Sequence, residues 1–451
     1  MVSLLLIYVN PIMPQTIHGF SRLNKEEKID WLVNNFTEDP ANSISTLKHY
    51  WNSDLQLQQL HDEFIENTIS NYYLPLGIAP NFVINNKSFV IPMTIEESSV
   101  VAAASKAAKF WMSRGGFKAE ILGTEKIGQV HFTFSGDSKH LNEFFEKVKP
   151  SLLANLKELT ASMEKRGGGL KDLFLIDKTE ALENYYQLHA TFETLDAMGA
   201  NFINSCLEQL AENWQVEFAK NPAFKEKEAD MVVIMSILSN YVPGCVVRAE
   251  VSCAVSELSE ADGIDPEVFA AKFVQAVRIA EIEPYRAVTH NKGIMNGIDA
   301  VVLATGNDFR AIEAAAHAYA AKDGSYSSLT HATVENGIFR FWIEIPLALG
   351  TVGGLTKLHP LVKLNLEILG NPSAPQLMEI IAVAGLAQNF GAVKSLTTTG
   401  IQKGHMKMHL MNMLNQLQAT QTEKEAAITY FKSNKVTHSA VDSFIKKSRK
   451  S

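Results

Sequence analysis

The densest group of polar side chains in this chain lies at residues 289–297 (THNKGIMNG), where Lys292 is flanked by amide and glycine residues. The segment has two interpretations, a surface turn or a lysine held in a pocket. In a pocket, the Lys292 ammonium would stabilise negative charge that develops on an oxygen atom during a reaction. The spacing is compatible with both, so Lys292 is a candidate catalytic residue whose surroundings decide its role.

Two acidic segments provide candidate partners for this lysine. Asp308 directly precedes a predicted helix at residues 309–322, where it is either the N-cap of that helix or a buried carboxylate paired with the lysine. Glu96 and Glu97 precede an alanine-rich helix predicted at residues 100–112. They either match the dipole of that helix or form a carboxylate pair in which one member acts as a proton donor.

Two further segments carry residues suited to chemistry. His405, between Gly404 and Met406, is either structural or an acid on a mobile terminal segment. Residues 196–201 (DAMGAN) lie where a predicted strand turns into a helix, and a glycine at a helix N-terminus suits a pyrophosphate group. The GxGxxG pattern of Rossmann domains is absent from the sequence, so any dinucleotide is bound in another way.

The elements between residues 125 and 239 are predicted to form a small domain that positions the DAMGAN segment. Periodicity places strands at 129–134, 173–177, 185–193 and 232–238, and helices at 141–165 and 197–214. The order strand, helix, strand, strand, helix, strand is that of ferredoxin-like domains. We expect this domain to be inserted in a larger one made of residues 1–124 and 240–400, followed by a helical C-terminal flap at 401–451.

The larger domain is predicted to mix helices and strands, so the predicted fold class is α+β. Its strands are predicted at 89–92, 246–254 and 338–347, and its helices at 100–112, 266–278, 309–322 and 376–389, after an N-terminal helix that begins at a capping box at 24–27. The strand at 338–347 alternates, with Phe339, Phe341, Ile343 and Ile345 on one face. Residues 66–79 are expected to be a helix end followed by a loop.

Composition excludes several classes of protein. With 451 residues, 46% hydrophobic and 20% charged, the chain is neither disordered nor a collagen-like or coiled-coil rod. The net charge of −8 gives no electrostatic reason to expect nucleic acid or an anionic membrane as a partner. Three cysteines without a CxxC pair form neither a disulfide framework nor a zinc site, which fits the cytoplasm. The apolar residues 1–9 are too short to span a bilayer, and we expect a packed or frayed leader there.

Several long motifs, found in order along the chain, resemble those of one enzyme family. They are ENTISNYYLPLGIA, DAMGAN, THNKGIMNG, ATGNDFRA, GTVGGLTKLHP, AGLAQN and GIQKGHM. From about residue 21 to the C-terminus, the chain resembles 3-hydroxy-3-methylglutaryl-coenzyme A reductase in its soluble bacterial, class II form. The resemblance implies a four-electron reduction of the thioester to mevalonate and coenzyme A by two NAD(P)H, through a bound mevaldyl hemithioacetal and mevaldehyde.

The resemblance implies catalytic roles for four residues and no metal ion. Lys292 would stabilise the oxyanion that hydride attack creates, and Asp308 would keep this lysine charged and correctly oriented. Glu97 would be the proton donor in the aldehyde step. His405 would protonate the leaving thiolate of coenzyme A, since an imidazole titrates near neutral pH.

Substrate contacts are implied at five polar positions. They are Ser99, Asn240, Arg286, Asn296 and Gln388. Arg286 suits a carboxylate, which a guanidinium binds with two parallel hydrogen bonds. The ligands implied are hydroxymethylglutaryl-coenzyme A, mevalonate and coenzyme A. Because the active site of the family is shared between subunits, we also expect an obligate homodimer or an assembly of dimers.

The cofactor positions implied by the resemblance are Asp196, Met198, Gly199 and Asn201. Some relatives have an aspartate, seven residues before the triple glycine, that binds the ribose diol of NADH. This chain has Thr160 at that position, and the neutral side chain favours NADPH over NADH. Two alternatives stay open: the same enzyme working oxidatively in mevalonate catabolism, and a non-catalytic homologue that binds coenzyme A.

Overall fold

The computed structural model describes residues 16–226, 229–258, 264–398, 410–431 and 433–449. The chain divides into two compact units, Met1–Pro75 and Leu76–Ser451. The predicted α+β class is confirmed, because helices and antiparallel sheets are interspersed along the second unit.

The described part of the first unit is helical. Its α-helices are α1 (Lys25–Phe36), α2 (Pro40–His49) and α3 (Leu55–Asp62). The predicted capping box begins α1: the side chain of Asn24 accepts from the backbone N–H of Glu27, and the Glu27 carboxylate accepts from the backbone N–H of Asn24. The Lys25 ammonium lies 2.7 Å from Asp62 and 4.0 Å from the ring centroid of Trp51. These contacts tie the start of α1 to α3.

Three antiparallel sheets are present in the described part of the second unit. Their strands are β1 (Leu76–Ile84), β2 (Lys87–Thr94), β3 (Lys118–Ile121), β4 (Lys126–Phe134), β5 (Gly169–Asp177), β6 (Tyr185–Glu193), β7 (Met231–Leu238), β8 (Val246–Ala254), β9 (Thr330–Glu335) and β10 (Ile338–Pro346). The first two strands form a hairpin, and the other two sheets have the orders β3-β8-β10-β9 and β5-β6-β4-β7.

The helices of the second unit cover these sheets or follow them. They are α4 (Val100–Met112), α5 (Ser138–Asn155), α6 (Lys157–Glu164), α7 (Ala200–Lys220), α8 (Pro222–Glu226), α9 (Pro266–Ile282), α10 (Pro284–Ala304), α11 (Phe309–Ala320), α12 (Leu355–Leu358), α13 (Pro360–Ile368), α14 (Ala374–Thr397), α15 (Gln421–Tyr430) and α16 (His438–Ser448). The bounds of α4 and β8 are those predicted from the sequence.

The larger hydrophobic core forms around β8, β10 and α14. Phe339, Phe341, Ile343 and Ile345 are all fully buried, which confirms the predicted inward face of β10. In the described part of the chain, α14 is the one helix long and apolar enough to cross a membrane, but 78% of its apolar window is buried inside the protein. Its apolar character is therefore that of a core helix.

A second hydrophobic core forms between β4 and β7, in a layer with its own sheet and helices. The elements there follow the predicted order of strand, helix, strand, strand, helix, strand, with α6 and α8 as short additions. Trp214 of α7 is fully buried against Phe132 of β4 and Phe144 of α5. The single helix predicted at 141–165 is two helices, because the chain turns at Leu156 between α5 and α6.

Two predicted segments differ from the structure. Residues 66–79 contain no helix end, since α3 ends at Asp62 and Leu76 already begins β1, which pairs with β2. Residues 289–297 are not a turn but the middle of α10. The end of the first segment is fixed by pairing with the neighbouring strand β2, whereas the second is fixed by packing of α10 against the distant helix α14.

The C-terminal helices α15 and α16 share a third, small core. Leu414, Val441 and Ile445 are almost fully buried in it. Residues 399–409, which include the predicted catalytic residue His405, lie outside the described residues.

Candidate active site

Lys292 lies in the middle of α10, so the interpretation of its segment as a surface turn is wrong. The helix begins at Pro284, a favourable first residue because its missing N–H has no partner to lose. The carboxylate of Glu283 caps it by accepting from the backbone N–H groups of Tyr285 and Arg286. Arg286 and Lys292 are thereby fixed on one rigid element.

Glycines allow α10 to approach α14 closely. A Cβ atom on Gly297 would lie 2.6 Å from the carbonyl oxygen of Ala384 and 2.7 Å from Cβ of Gln388. A Cβ atom on Gly385 would lie 2.7 Å from the side chain of Ile298. The two glycines therefore bring the backbones together, and this contact places Gln388 beside the polar face of α10.

The ammonium of Lys292 is paired with Glu97. Its Nζ donates to Oε2 of Glu97 at 2.5 Å, and Nδ2 of Asn296, one helical turn further on, donates to the same oxygen at 3.3 Å. Glu97 lies in the turn between β2 and α4, where Ser99 adopts a left-handed conformation with φ of 75° before the helix. The side chains of Lys292 and Glu97 remain 60% and 38% exposed, so a ligand can reach them.

This ion pair borders a cavity of about 500 Å³ between α4, α10 and α14. Six residues predicted from the sequence line it: Glu97, Ser99, Arg286, Lys292, Asn296 and Gln388. A concave site of this size, with a few convergent polar groups, is typical of a pocket for a small molecule or cofactor.

A buried polar network underlies the cavity, and the sequence reasoning missed it. Nε2 of His290 lies 2.6 Å from the hydroxyl of Thr330, which donates to Oδ1 of Asn389 at 3.0 Å. Because Thr330 gives its proton to Asn389, His290 is the donor in its own contact with Thr330. Burial lowers the pKa of His290 to about 3, so its ring is neutral. The signal was available, since His290 and Asn291 directly precede the candidate lysine.

Two lining residues have polar groups suited to a ligand. Oε1 of Gln388 is buried and has no hydrogen-bond partner among the described residues. The guanidinium of Arg286 is partly buried, and burial lowers its pKa below the usual value. A buried acceptor without a donor is costly. A ligand that brings a hydroxyl donor to Gln388 and a carboxylate to Arg286 would therefore be bound favourably.

Asp308 takes the N-cap role that was one of its two interpretations, and within one chain its carboxylate has other partners than Lys292. Its carboxylate accepts from the backbone N–H groups of Arg310 and Ala311 at the start of α11, which makes it the N-cap. It also pairs with the guanidinium of Arg310 at 3.1 Å. The physical reason is local, because a carboxylate at a helix start finds free N–H groups at hand.

The DAMGAN segment forms the turn between β6 and α7. Oδ1 of Asp196 accepts from the backbone N–H of Ala374 at 2.7 Å, and its carbonyl accepts from Thr351. Gly199, with φ of 90°, is the N-cap of α7 and provides no capping side chain. The first turn of α7 is therefore without a side-chain cap, an arrangement that fits a pyrophosphate group at its N-terminus.

Two other predicted residues are placed away from the cavity. Thr160 is buried on α6, and its hydroxyl donates to the Glu164 carboxylate at 2.6 Å. In this structure the side chain is therefore covered, and a role at the cofactor stays a prediction. Asn240 borders a cavity of only about 20 Å³ together with Met198, beside the DAMGAN turn. Asn201 lies on the exposed side of the first turn of α7.

Among the described residues, no cluster of three or more His, Cys, Asp or Glu side chains is arranged to hold a metal ion. The three cysteines, Cys206, Cys245 and Cys253, are unpaired and buried. Burial raises their pKa values to about 12, 11 and 11, which leaves each one a neutral thiol at physiological pH.

Comparison with known proteins gives consistent matches over most of the chain. A family model described as hydroxymethylglutaryl-coenzyme A reductase matches residues 26–410. The 3-hydroxy-3-methylglutaryl-coenzyme A reductase of Archaeoglobus fulgidus is 36% identical over 416 residues, which are 92% of this chain and 90% of that protein. A probable reductase of the same name from Borreliella burgdorferi is 34% identical over 372 residues, or 81% of each protein.

Solved structures give the same result. The class II 3-hydroxy-3-methylglutaryl-CoA reductase from Streptococcus pneumoniae, in open conformations bound to NADPH, superposes with a TM-score of 0.69 at 36% identity. The similarity covers 84% of this chain and 99% of that one. Another structure of the S. pneumoniae enzyme covers 95% of this chain, with a TM-score of 0.70 at 34% identity.

Proposed function

The chain belongs to the hydroxymethylglutaryl-coenzyme A reductase family, and from this premise we propose how its side chains divide the reaction. Its activity is the reduction of 3-hydroxy-3-methylglutaryl-coenzyme A to mevalonate with a reduced nicotinamide cofactor. The observation that carries the proposal is the group formed by Lys292, Glu97 and Asn296 on the wall of the cavity of about 500 Å³.

Lys292 provides the positive charge that the first reduction needs. Transfer of a hydride from the nicotinamide to the thioester carbon turns the carbonyl oxygen into an oxyanion, and a fixed cation beside that oxygen lowers the barrier. The contact with Glu97 at 2.5 Å orients the ammonium without burying it. In the second reduction, the aldehyde oxygen occupies the same place. Glu97, which accepts from Lys292 as a carboxylate, takes up a proton before this step and then gives it to the aldehyde oxygen to complete the alcohol.

Departure of coenzyme A between the two reductions needs a separate acid. The carbon–sulfur bond of the hemithioacetal breaks, and the thiolate must take a proton or it adds back to the aldehyde. We assign this proton to His405 because of its place in the GIQKGHM motif. The helices α15 and α16 that follow it form the proposed flap at residues 401–451, which would close over the cavity.

The substrate is proposed to lie along the cavity between α4 and α14. Arg286 binds the free carboxylate of the hydroxymethylglutaryl group, while Ser99, Asn296 and Gln388 contact its oxygens. Lys106 lines both this cavity and a smaller neighbouring cavity of about 90 Å³. This lysine therefore suits the phosphates of coenzyme A.

Asp308 is proposed to act from a second copy of the chain, so that the active site is completed in a homodimer or an assembly of dimers. It does not line the cavity of its own chain in the described structure. Helix α13 packs next to its turn, since a Cβ atom on Gly306 would lie 3.1 Å from Val362. On that helix, Leu361 and Leu364 are 49% and 47% exposed. An exposed apolar surface beside a catalytic candidate is suited to a subunit contact.

The layer from β4 to β7 is proposed to be a ferredoxin-like dinucleotide-binding domain, with Asp196, Met198, Gly199 and Asn201 at the cofactor. Its own hydrophobic core and its sheet order support a domain at 125–239 inserted in the larger one at 1–124 and 240–400. Three buried, unpaired cysteines support a cytoplasmic location. No nucleic acid or membrane partner is proposed for a chain with a net charge of −8.

NADPH is proposed as the preferred cofactor. The neutral side chain of Thr160 is weak support for this preference, because it is buried in the structure. The remaining support is the NADPH bound by the S. pneumoniae relative and the basic residues Lys157, Lys165 and Arg166 around α6, which suit a 2′-phosphate. The acidic residues Glu158 and Glu164 of the same segment act against this preference. Parallel assays should give a higher kcat/KM with NADPH than with NADH, and a clear NADH preference would contradict the proposal.

Steady-state kinetics in both directions test the function as a whole. Purified protein should oxidise NADPH only when hydroxymethylglutaryl-coenzyme A is added, and Glu97→Gln should abolish this turnover. A protein that binds coenzyme A without any turnover would be the non-catalytic homologue. A kcat/KM for mevalonate oxidation that exceeds the one for reduction would favour the catabolic direction.

A further inference from the structure

A lysine is buried at the start of β4, away from the cavity described above. Lys126 is 4% exposed, and its Nζ donates to the hydroxyl of Thr194 at 2.5 Å and to the carbonyl oxygen of Ala197 at 3.1 Å. The hydroxyl of Thr194 also donates to the Ala197 carbonyl, at 2.7 Å. The three groups form a closed set of hydrogen bonds between β4 and the turn that follows β6.

That turn has an unusual backbone that several contacts support. Leu195 has φ of 53° and Gly199 has φ of 90°. A positive φ is unfavourable for a leucine, so surrounding contacts must hold it. The Glu193 carboxylate provides one such contact by accepting from the backbone N–H of Leu195 at 2.8 Å and from the hydroxyl of Thr124. Asp196 provides two more by accepting from the backbone N–H groups of Ala374 and Thr351. Lys126 adds the contacts to Thr194 and Ala197, in the middle of the turn.

Burial and nearby charges act on the pKa of Lys126 in opposite directions. Burial lowers its pKa, while the nearby Glu193 and Asp196 carboxylates raise it. The thiol of Cys245, which also lines the adjacent cavity of about 190 Å³, is neutral because burial raises its pKa to about 11. Burying a cation costs desolvation free energy, which its hydrogen-bond partners and the two nearby carboxylates must offset.

We propose that Lys126 is a positioning residue for the dinucleotide: by binding Thr194 and Ala197 it fixes the turn that aims the N-terminus of α7 at the pyrophosphate. The proposal rests on the proposed cofactor role of residues 196–201. It does not place Lys126 in contact with the cofactor, because the side chain is buried beneath the turn.

The test compares four variants of the full-length protein. Lys126→Met keeps the length of the side chain but removes its charge and its hydrogen-bond donors. Lys126→Arg keeps the charge and the donors. Lys149→Met is the matched control, because Lys149 lies in the same layer and pairs with Asp172 at 3.0 Å, outside the turn. Asn201→Ala reports independently on the proposed cofactor segment. The measurements are the Kd of NADPH from its fluorescence and the KM of both substrates.

Lys126→Met is expected to raise the Kd and KM of NADPH about tenfold, the size of one lost charged hydrogen bond, with the KM of hydroxymethylglutaryl-coenzyme A changed by less than about twofold. Lys126→Arg should recover part of the loss, and Lys149→Met should bind NADPH like the unmodified protein. If Lys126→Met bound NADPH with an unchanged Kd while Asn201→Ala bound it more weakly, only the positioning role of Lys126 would be overturned. An unchanged Kd in both would overturn the cofactor assignment of the segment.

If Lys126→Met does not fold, the NADPH Kd of Thr194→Val tests the positioning role instead. It removes the hydroxyl that joins Lys126 to Ala197 and leaves the lysine in place. We expect about a threefold rise in the NADPH Kd, since one neutral hydrogen bond is lost. An unchanged Kd in Thr194→Val would contradict the proposal.

Discussion

The cavity beside Lys292 and the turn at residues 193–199 are both polar, but they use their polar groups in opposite ways. At the cavity, Lys292 and Glu97 pair with each other and remain partly exposed. Gln388 has a buried oxygen without a hydrogen-bond partner among the described residues. In the turn, Lys126 and Asp196 spend their hydrogen bonds on backbone groups of their own chain. The polar groups of the cavity have bonding capacity left for a substrate, whereas Nζ of Lys126 and Oδ1 of Asp196 fix the shape of the turn.

This difference predicts two kinds of defect. A substitution at the cavity removes a group that acts on the substrate, so turnover should fall while the free energy of unfolding changes little. A substitution in the turn leaves buried partners unsatisfied, so stability and cofactor affinity should fall first.

Lys292→Ala is expected to give the largest effect. Loss of one fixed donor to an oxyanion lowers kcat by about 100- to 1000-fold, and loss of a full charge lowers it at least as much. Stopped-assay turnover with saturating substrates measures this directly. Lys109→Ala, on the exposed side of α4, is the control and should keep normal turnover. A kcat for Lys292→Ala within about tenfold of the unmodified protein would remove the lysine from the mechanism.

Mixing two inactive variants tests whether the cavity is completed by a second subunit. Asp308→Asn should be inactive yet stable, because asparagine caps a helix as well as aspartate does. When Asp308→Asn and Lys292→Ala are unfolded and refolded together in equal amounts, about a quarter of the sites should carry both native residues. Assays of the mixture should therefore recover about a quarter of the normal activity. No recovery, with dimers present, would mean that both residues act within one chain.

Asp196→Ala should affect stability, in contrast to the cavity variants. The carboxylate accepts from the backbone N–H of Ala374 at the start of α14, and losing this charged hydrogen bond should lower the free energy of unfolding by about 1–3 kcal/mol. Urea denaturation measures the change. Lys292→Ala, whose side chain is 60% exposed, should shift it by less than about 0.5 kcal/mol. If the two variants lost the same free energy of unfolding, the cavity and the turn would not differ in the way proposed.

Parts of the molecule with regular periodicity could be predicted from the sequence. The alternation in β10 identified its buried face, and α4 and β8 have their predicted bounds. Helix α10 could not be predicted in this way, because Gly293 and Gly297 lower its intrinsic helix propensity. Its helical form depends on close packing against α14, which local sequence does not reveal.

The candidate site was likewise predictable in part. Motifs identified six residues that line one cavity, but they did not show that Lys292 pairs with Glu97 rather than with Asp308. The contact between Lys126 and Thr194 joins residues 68 positions apart. A signal did exist, since Lys126 occupies an inward position of β4 in line with Val130 and Phe132, where a lysine needs a buried partner.

His290 lies at the boundary between the two kinds of region, and its titration gives the smallest predicted effect. It lines the cavity, yet its ring is bound to Thr330 inside the protein. Its pKa is about 3 in the folded state and 6.5 when free, so between these values the unfolded chain binds one more proton. Stability therefore falls as the pH decreases through this window, by up to about 1.4 kcal/mol for each pH unit.

His290→Gln should reduce this pH dependence while keeping a donor for Thr330. Between about pH 6 and about pH 5, the unmodified protein should lose about 1 kcal/mol more of its free energy of unfolding than the variant does. Urea denaturation at the two pH values measures the difference. If the two proteins lost the same amount, His290 would be protonated in the folded state and would belong with the ligand-facing groups of the cavity. A difference of the expected sign would place it with the groups that fix the shape of the site, like those of the turn.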